Sequence, residues 1–203
     1  MNRRSVYLVD DDVEIVANIA TFLRDKHFDV RTFSSGDDFF KAFPLNSPAV
    51  IVLDMQMPGL NGLDIQARLN AQHVDVPIFF LSGDSKSQQI IDALKNGAYE
   101  FLLKPVMPNV LLDLLTHSFE QQAILQSEVQ QIAHYERLFQ TLTDSEKKIF
   151  AYLIQGFSNK GIAELMGLKA DTIKKRRAQI YQNLQVEDLP ELIKRFGKIS
   201  SAS

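Results

Sequence analysis

The sequence predicts a doubly wound parallel α/β domain followed by a small all-helical module. Three observations carry this. Short apolar runs alternate with helical patterns over residues 1–105, chemically capable groups end four of those runs, and residues 141–198 carry no strand signal. The runs are Val6-Tyr7-Leu8-Val9, Val50-Ile51-Val52-Leu53, Ile78-Phe79-Phe80-Leu81 and Phe101-Leu102-Leu103; a further strand around 30–33 brings the count to five. They are continuously apolar, as expected of strands covered on both faces. Helical stretches fall near 12–26, 36–43, 61–72, 85–96 and from about 107 onward. Asp12 is the expected N-cap of the first, since a short carboxylate there accepts the helix's leading N–H groups. Right-handed crossovers between parallel strands leave few alternatives to a flavodoxin-like five-stranded sheet.

Composition sets bounds. At 203 residues, 45% hydrophobic and 23% charged, the chain suits one large or two modest globular domains. The absence of cysteine excludes disulfides, thiolate metal sites and thiol nucleophiles. Only four strongly apolar residues separate the N-terminal arginines from Asp10, too few for a signal peptide, and no run approaches the ~20 apolar residues of a membrane helix. A cytoplasmic location is expected. The net charge of −3 is unevenly spread. Residues 1–118 hold 10 basic and 15 acidic residues, whereas 141–203 hold 11 basic and 7 acidic. Such asymmetry predicts two domains with different partners.

In a parallel sheet the carboxyl ends of the strands converge on one crevice. Asp10-Asp11-Asp12, Asp54, Ser82 and Lys104 would meet there. Carboxylates that close repel one another unless a cation sits among them, and a hard divalent ion with oxygen ligands satisfies them. Mg²⁺ is therefore expected on Asp10, Asp11, Asp54 and the Gln56 backbone carbonyl. A carboxylate at a strand end can act as a nucleophile and form an aspartyl phosphate, which is the role expected of Asp54. Ser82 would donate a hydrogen bond to a phosphoryl oxygen, and Lys104 would supply a point charge to the same group.

The acidic cluster, the segment Asp54-Met55-Gln56-Met57-Pro58, Ser82-Gly83 and Lys104-Pro105 together resemble a bacterial response-regulator receiver domain over about residues 4–118. The resemblance implies that Asp54 accepts a phosphoryl group from a sensor histidine kinase. It also implies a cis Lys104-Pro105 bond, and a switch pair formed by Ser82, in place of the commoner Thr, and Phe101, three residues before the lysine. Asp84 is either a helix cap or, like Gln56, a residue tuning hydrolysis of the aspartyl phosphate.

From Met107 to about Gln140 there is no glycine, and Pro108 fits a first helical turn. Leu111, Leu115, Leu125, Val129, Ile132 and Phe139 fall on a 3–4 spacing. A continuous helix here would be about 50 Å long. Either it covers its own domain and then becomes a polar linker, or it extends and pairs with a second copy through Leu125, Ile132 and Phe139.

Over 141–198 four short helices are expected. Thr143 or Asp144 caps the first, with Thr143-x-x-Glu146 fitting a capping box, and Gly156 ends it. Ser158 caps the second, Ala170 or Asp171 starts the third, and the fourth covers roughly 189–196. Leu142-Thr143, Glu146, Gly156, Ser158-Asn159-Lys160, Ile162-Ala163, Thr172-Ile173-Lys174, Ile180, Leu184 and Glu191-Leu192 resemble the LuxR-type helix-turn-helix. Gly161, Arg176 and Gln185 depart from that pattern. On the third helix Lys174, Lys175 and Ala178 lie off the apolar stripe of Ile173, Ile180 and Leu184, in a register that reaches base edges. Arg176 and Arg177 are expected at phosphates. Thr172 and Lys160 complete the DNA-facing set.

The resemblances imply a LuxR/FixJ-type, phosphorylation-switched DNA-binding transcriptional regulator. Its expected parts are a receiver at 1–118, a helical linker at 119–140 and a DNA-binding domain at 141–203. It would dimerise on phosphorylation and perform no chemistry beyond phosphotransfer and autodephosphorylation. An Mg²⁺-dependent phosphatase would need an Asp-x-Asp pair at its nucleophile, which Asp54 lacks. A purely protein-binding regulator is disfavoured by Lys174-Lys175-Arg176-Arg177.

Overall fold

Strand and helix alternate through the first part of the chain: β1 (Ser5–Val9), α1 (Val13–Asp25), β2 (Asp29–Phe33), α2 (Gly36–Phe40), β3 (Ala49–Asp54), α3 (Gly62–Ala71), β4 (Ile78–Ser82), α4 (Ser87–Lys95) and β5 (Glu100–Leu103). The structure, a computed structural model, describes residues 4–83 and 87–197. All strand pairings are parallel and the order is β2-β1-β3-β4-β5. This is the flavodoxin-like arrangement expected from the alternation, and its order reverses between β1 and β3.

The side-chain period of two along each strand separates two cores. Val6 and Leu8 of β1, Val50 and Val52 of β3, and Phe79 and Leu81 of β4 pack with Ile19 and Leu23 of α1. Leu111, Leu115 and Phe119, from a long helix α5 (Pro108–Gln140), complete that core. Tyr7, Val9, Ile51, Leu53, Ile78 and Phe80 face the other way, onto Phe39 of α2, Ile65 and Leu69 of α3, and Ala93 of α4. Apolar residues on both faces explain why the runs read as continuous.

Helix ends follow local chemistry. The Asp12 carboxylate accepts from the Glu14 and Ile15 N–H groups, as expected of an N-cap. Helix α2 stops at Phe40, short of the expected 43, because Phe43 precedes Pro44 and helical backbone is disfavoured there. Asp84 and the expected helix start at Ser85 lie outside the described residues. The Phe43-Pro44, Ser47-Pro48 and Lys104-Pro105 bonds are cis, the last as the resemblance implies.

The chain divides into two compact units, Met1–Ile124 and Leu125–Ser203, so the boundary falls within α5. That helix is continuous for 33 residues. Its apolar positions do not act as one stripe. Leu125, Val129 and Ile132 are exposed, whereas Phe139 is buried in the second unit's core. Phe139 stacks edge-on against Phe150 at 5.0 Å and so leaves the seven-residue series expected to pair with a second copy.

The second unit holds α6 (Asp144–Ile154), α7 (Asn159–Met166), α8 (Ala170–Asn183) and α9 (Leu189–Phe196) around Ile149, Phe150, Leu153, Ile162, Ile173, Ile180, Leu192 and Phe196. Thr143 is the cap of α6, with the reciprocal Glu146 bond of a capping box, and Ser158 caps α7. Gln185, which stands where the resembled family ends its recognition helix with glycine, takes a left-handed backbone of φ 57°. A side chain in that region is strained, by roughly 1 kcal/mol or more. Replacing Gln185 with Gly should raise stability by about 0.5–1 kcal/mol once glycine's extra unfolded-state entropy is subtracted. Urea unfolding of both proteins, read at the second unit, measures the difference; an equal or lower midpoint for the Gly variant would show that Gln185 carries no strain.

Candidate phosphoryl site and nucleic-acid interface

Strand β1 ends just before Asp10, β3 ends at Asp54 and β4 ends at Ser82, so the sheet delivers three polar side chains to one edge. All three are buried. The Lys104 backbone N–H donates to the Ser82 carbonyl at 2.8 Å, carrying the chain from β5 across this edge. The Lys104 Nζ then lies 2.7 Å from Asp10 Oδ2 and 2.6 Å from Asp54 Oδ1. The remaining carboxylate oxygens meet backbone donors: Asp10 Oδ1 accepts from the Asp12 N–H at 2.9 Å, and Asp54 Oδ2 from the Gln56 N–H at 2.8 Å.

Burial raises the Asp54 carboxyl above its ordinary value; Lys104 pulls it down, neighbouring Asp10 raises it further, and the Gln56 N–H lowers it. The net direction is upward. Burial alone would lower the Lys104 ammonium, but Asp10 and Asp54 together outweigh burial and hold it above its ordinary value. One ammonium thus serves two buried acids, and Asp11 stands beside them, exposed. One oxygen from each of Asp10, Asp11 and Asp54 lies within 4.8 Å of the others. Three hard oxygen donors with a net negative charge fit a divalent cation such as Mg²⁺.

Two supporting features were not legible as such. Gly62 donates its N–H to the Met55 carbonyl at 3.2 Å. A Cβ there would meet the Asp54 carbonyl oxygen at 2.5 Å and the Phe80 ring at 2.9 Å. Only glycine lets α3 start this close to the end of β3. The Gln66 amide of α3 donates to the Ala93 carbonyl of α4 at 3.0 Å, and Asn70 to the Asn96 carbonyl at 2.9 Å, tying α3 to the end of α4. Phe101 is half-buried, opposite Phe80 in the β4–β5 register and packed on the second core. Gln56 is exposed, with its backbone beside Asp54.

In the second unit, α7 and α8 form the helix pair. Lys174, Lys175 and Ala178 are exposed along one side of α8, and Lys160 is exposed near the start of α7. Thr172, Arg176 and Arg177 are half-buried. Arg177 Nε donates to the Tyr181 hydroxyl at 2.9 Å and Nη1 to Asn159 Oδ1 at 3.3 Å, with the guanidinium 5.2 Å from the Tyr181 ring centroid. Arg176 Nη1 donates to the Ser145 hydroxyl of α6. The basic cluster therefore splits into two outward lysines and two arginines tied into the scaffold. An i,i+4 Arg–Tyr spacing offered a signal for Arg177; nothing in the sequence pairs Arg176 with Ser145.

An acid pocket at a parallel sheet's switch point, joined to a basic helix pair, defines a phosphoryl-signalling protein with a nucleic-acid output. Comparison with known proteins agrees: residues 6–116 match the response regulator receiver domain and residues 140–196 match the bacterial regulatory proteins of the luxR family. The tetrathionate response regulatory protein TtrR of Salmonella typhimurium is 30% identical over 97% of this chain and 94% of its own length. The transcriptional regulatory protein FixJ of Rhizobium meliloti is 24% identical over 96% and 95%. Among solved structures, the response regulator StyR is 32% identical with a TM-score of 0.82, covering 97% of this chain and 99% of that one. The chain belongs to the two-component response regulators with a LuxR-type DNA-binding domain, and is a transcriptional regulator of that kind. Such regulators work with histidine kinases and DNA. Among the described residues no helix is long and apolar enough to cross a membrane.

A raised Asp54 pKa has a defined sign for stability. Ionising this acid costs more in the folded state, so the cost is present above the folded pKa and is relieved as the pH falls toward the ordinary value of 3.8. Asp54→Asn should therefore raise the melting temperature of the metal-free protein at neutral pH, with Lys104 still held by Asp10. The gain should shrink steadily on acidification. Thermal unfolding of both proteins from about pH 7 to pH 4 checks this, and a gain that grows in acid would reverse the assignment.

Proposed function

We propose that Asp54 is the phosphoryl acceptor and that its modification switches dimerisation and DNA binding. The observation that carries the reading is the Lys104 ammonium, within 2.7 Å of both Asp10 and Asp54. An Asp54 oxygen attacks the phosphorus of a phosphohistidine, the P–N bond breaks, and the donor imidazole keeps the electron pair and takes up a proton. Asp10, Asp11, Asp54 and the Gln56 carbonyl would hold Mg²⁺, which when bound would supply charge neutralisation at the site. Lys104 holds one oxygen of the phosphoryl group and Ser82 donates to another.

The product adds about −1.5 to −2 of charge, by analogy with other phosphorylated side chains. Ser82 moves toward it, and Phe101 turns from half-buried to inward, remodelling the face of α4, β5 and α5. Residues 1–118 act as the receiver, 119–140 as a helical linker and 141–203 as the DNA-binding part. Exposed Leu125, Val129 and Ile132 on the linker support a contribution from α5 to a homodimer. On DNA, Lys174, Lys175 and Ala178 face base edges, while Thr172, Lys160, Arg176 and Arg177 lie toward phosphates. The two arginines serve the fold as well.

Acetyl phosphate with Mg²⁺ should add one phosphoryl group by intact mass, EDTA should block it, and Asp54→Asn should abolish it. The phosphorylated protein should gain dimer in the ultracentrifuge. Leu125→Lys with Ile132→Lys should weaken that gain without affecting phosphorylation. Labelling of the Asn variant at another carboxylate would refute the acceptor assignment, and an unchanged dimer constant would remove α5 from the interface.

Lys174→Ala should cost about 1–3 kcal/mol on the preferred site and relax specificity at one base position. Arg177→Ala should weaken specific and non-specific binding together, cut the salt slope by roughly 1 and, through loss of the Tyr181 and Asn159 bonds, lower stability as well. Binding at several salt concentrations separates the two. An unaltered specificity ratio for Lys174→Ala would mean that this register of α8 is wrong.

A further inference from the structure

The two arginines of α8 are held by neutral groups. Arg176 Nη1 donates to the Ser145 hydroxyl, and Arg177 donates to the Tyr181 hydroxyl and the Asn159 carboxamide oxygen. Among the described residues neither guanidinium makes an ion pair. Arg195 of α9, in the same unit, is by contrast paired with Glu191. A carboxylate is the strongest partner for an arginine that serves packing alone, since its two oxygens match the planar fork. A hydroxyl or an amide fixes the fork and leaves its charge unneutralised.

Ser145 is free for this task. It lies in the first turn of α6, whose start is capped by Thr143 and Glu146. Glu146, the next residue, is engaged elsewhere: its carboxylate accepts from the Thr143 N–H at 2.9 Å and from the Thr143 hydroxyl at 2.7 Å. The bond from Arg176 is the hydrogen bond that the Ser145 side chain makes among the described residues.

Helix geometry gives the two arginines separate directions. At 100° per residue they fall about 60° and about 40° to opposite sides of the buried Ile173, Ile180 and Leu184 stripe. Lys174, Lys175 and Ala178 face away from that stripe. A helix seated in the major groove has a phosphate strand on either side. Arg177 then faces one strand and Arg176 the other. Arg177 is fixed toward α7 by two bonds and the Tyr181 ring. Arg176 is fixed toward α6 by Ser145. Both are half-buried, so each keeps part of its side chain in solvent.

Resting on the reading of α8 as the helix that enters the groove, we propose that Ser145 is a positioning residue for DNA binding. Its hydroxyl holds the Arg176 guanidinium with the charge intact. The remaining N–H groups then meet a backbone phosphate without the ordering cost of a free, long side chain.

The test uses the full chain, treated with acetyl phosphate and Mg²⁺, and a short DNA duplex of mixed sequence. Binding is measured over a series of salt concentrations. Arg176→Ala should cut the salt slope by roughly 1. Ser145→Ala removes no charge, leaves the Thr143 cap in place and introduces the better helix former. It should nevertheless weaken binding about threefold to tenfold at low salt and make the slope shallower. In the Arg176→Ala background the same change should cost nothing further. Ser145→Thr keeps the hydroxyl and should bind as the unaltered protein does. Thermal unfolding shows that each variant is folded at the binding temperature. If Arg176→Ala lowers the slope while Ser145→Ala binds with unaltered affinity and slope, the proposal is overturned and Arg176 stays at the phosphates. A Ser145→Ala loss that persists without Arg176 overturns it too, since Ser145 then acts through α6. An unchanged slope for Arg176→Ala removes Arg176 from the phosphates, and the proposal falls with that reading.

Discussion

The bridge from Lys104 to Asp10 and Asp54 is the interaction on which the rest of the receiver depends. It joins side chains 94 and 50 residues apart in sequence, and the parallel sheet is what brings them within 2.7 Å. Leaving any one of these charges buried and unpaired would cost several kcal/mol. The strand order that places β1 beside β3 and β5 beyond β4 is therefore coupled to the electrostatics of its own edge. The bridge also leaves a negative excess, because a single ammonium answers two buried carboxylates with Asp11 alongside. Burial, with Asp10 adding to it, keeps the Asp54 carboxyl raised, and the charge imbalance makes the pocket receptive to a divalent cation.

The surroundings of the bridge suit a device with two states. Lys104 is tied by its backbone to Ser82, the neighbour expected to follow a phosphoryl group. Phe101 stands three residues upstream, half-buried and packed on the second core. Helix α4 is held to α3 by two side-chain amides on backbone carbonyls, Gln66 to Ala93 and Asn70 to Asn96. A change at the strand ends thus meets a helix whose far end is anchored by directional bonds. Leu103 at the end of β5 and Met107 just after it are exposed.

The second unit divides its basic residues by a similar economy. Four consecutive cations on a helix repel one another, and a helix turns by 100° per residue, so they cannot share one face. Ile173 and Ile180 set which side is buried. Arg176 and Arg177 then flank that side, within reach of Ser145, Asn159 and Tyr181, while Lys174 and Lys175 are left outward. Arginine suits the flanking positions because its planar fork makes several directed bonds at once, which a lysine ammonium does less well.

The sequence by itself determined whatever depends on neighbours in the chain. Apolar runs and their terminal acids gave the strands, the sheet's edge and the site at Asp10, Asp54, Ser82 and Lys104. Capping residues such as Asp12, Thr143 and Ser158 gave helix starts, since each bonds an N–H two or three residues on. The tertiary structure alone decided whatever depends on packing between distant segments. Phe139 has the spacing of Leu125 and Ile132, yet only the fold puts it in a core and leaves them exposed. Gly62 is an ordinary turn residue until the Asp54 carbonyl is found 2.5 Å from where its Cβ would be. The bond from Arg176 to Ser145, 31 residues away, is of the same kind. Periodicity records which side of an element is apolar; it does not record what that side meets, because close packing is settled by the shapes of segments the local sequence does not contain.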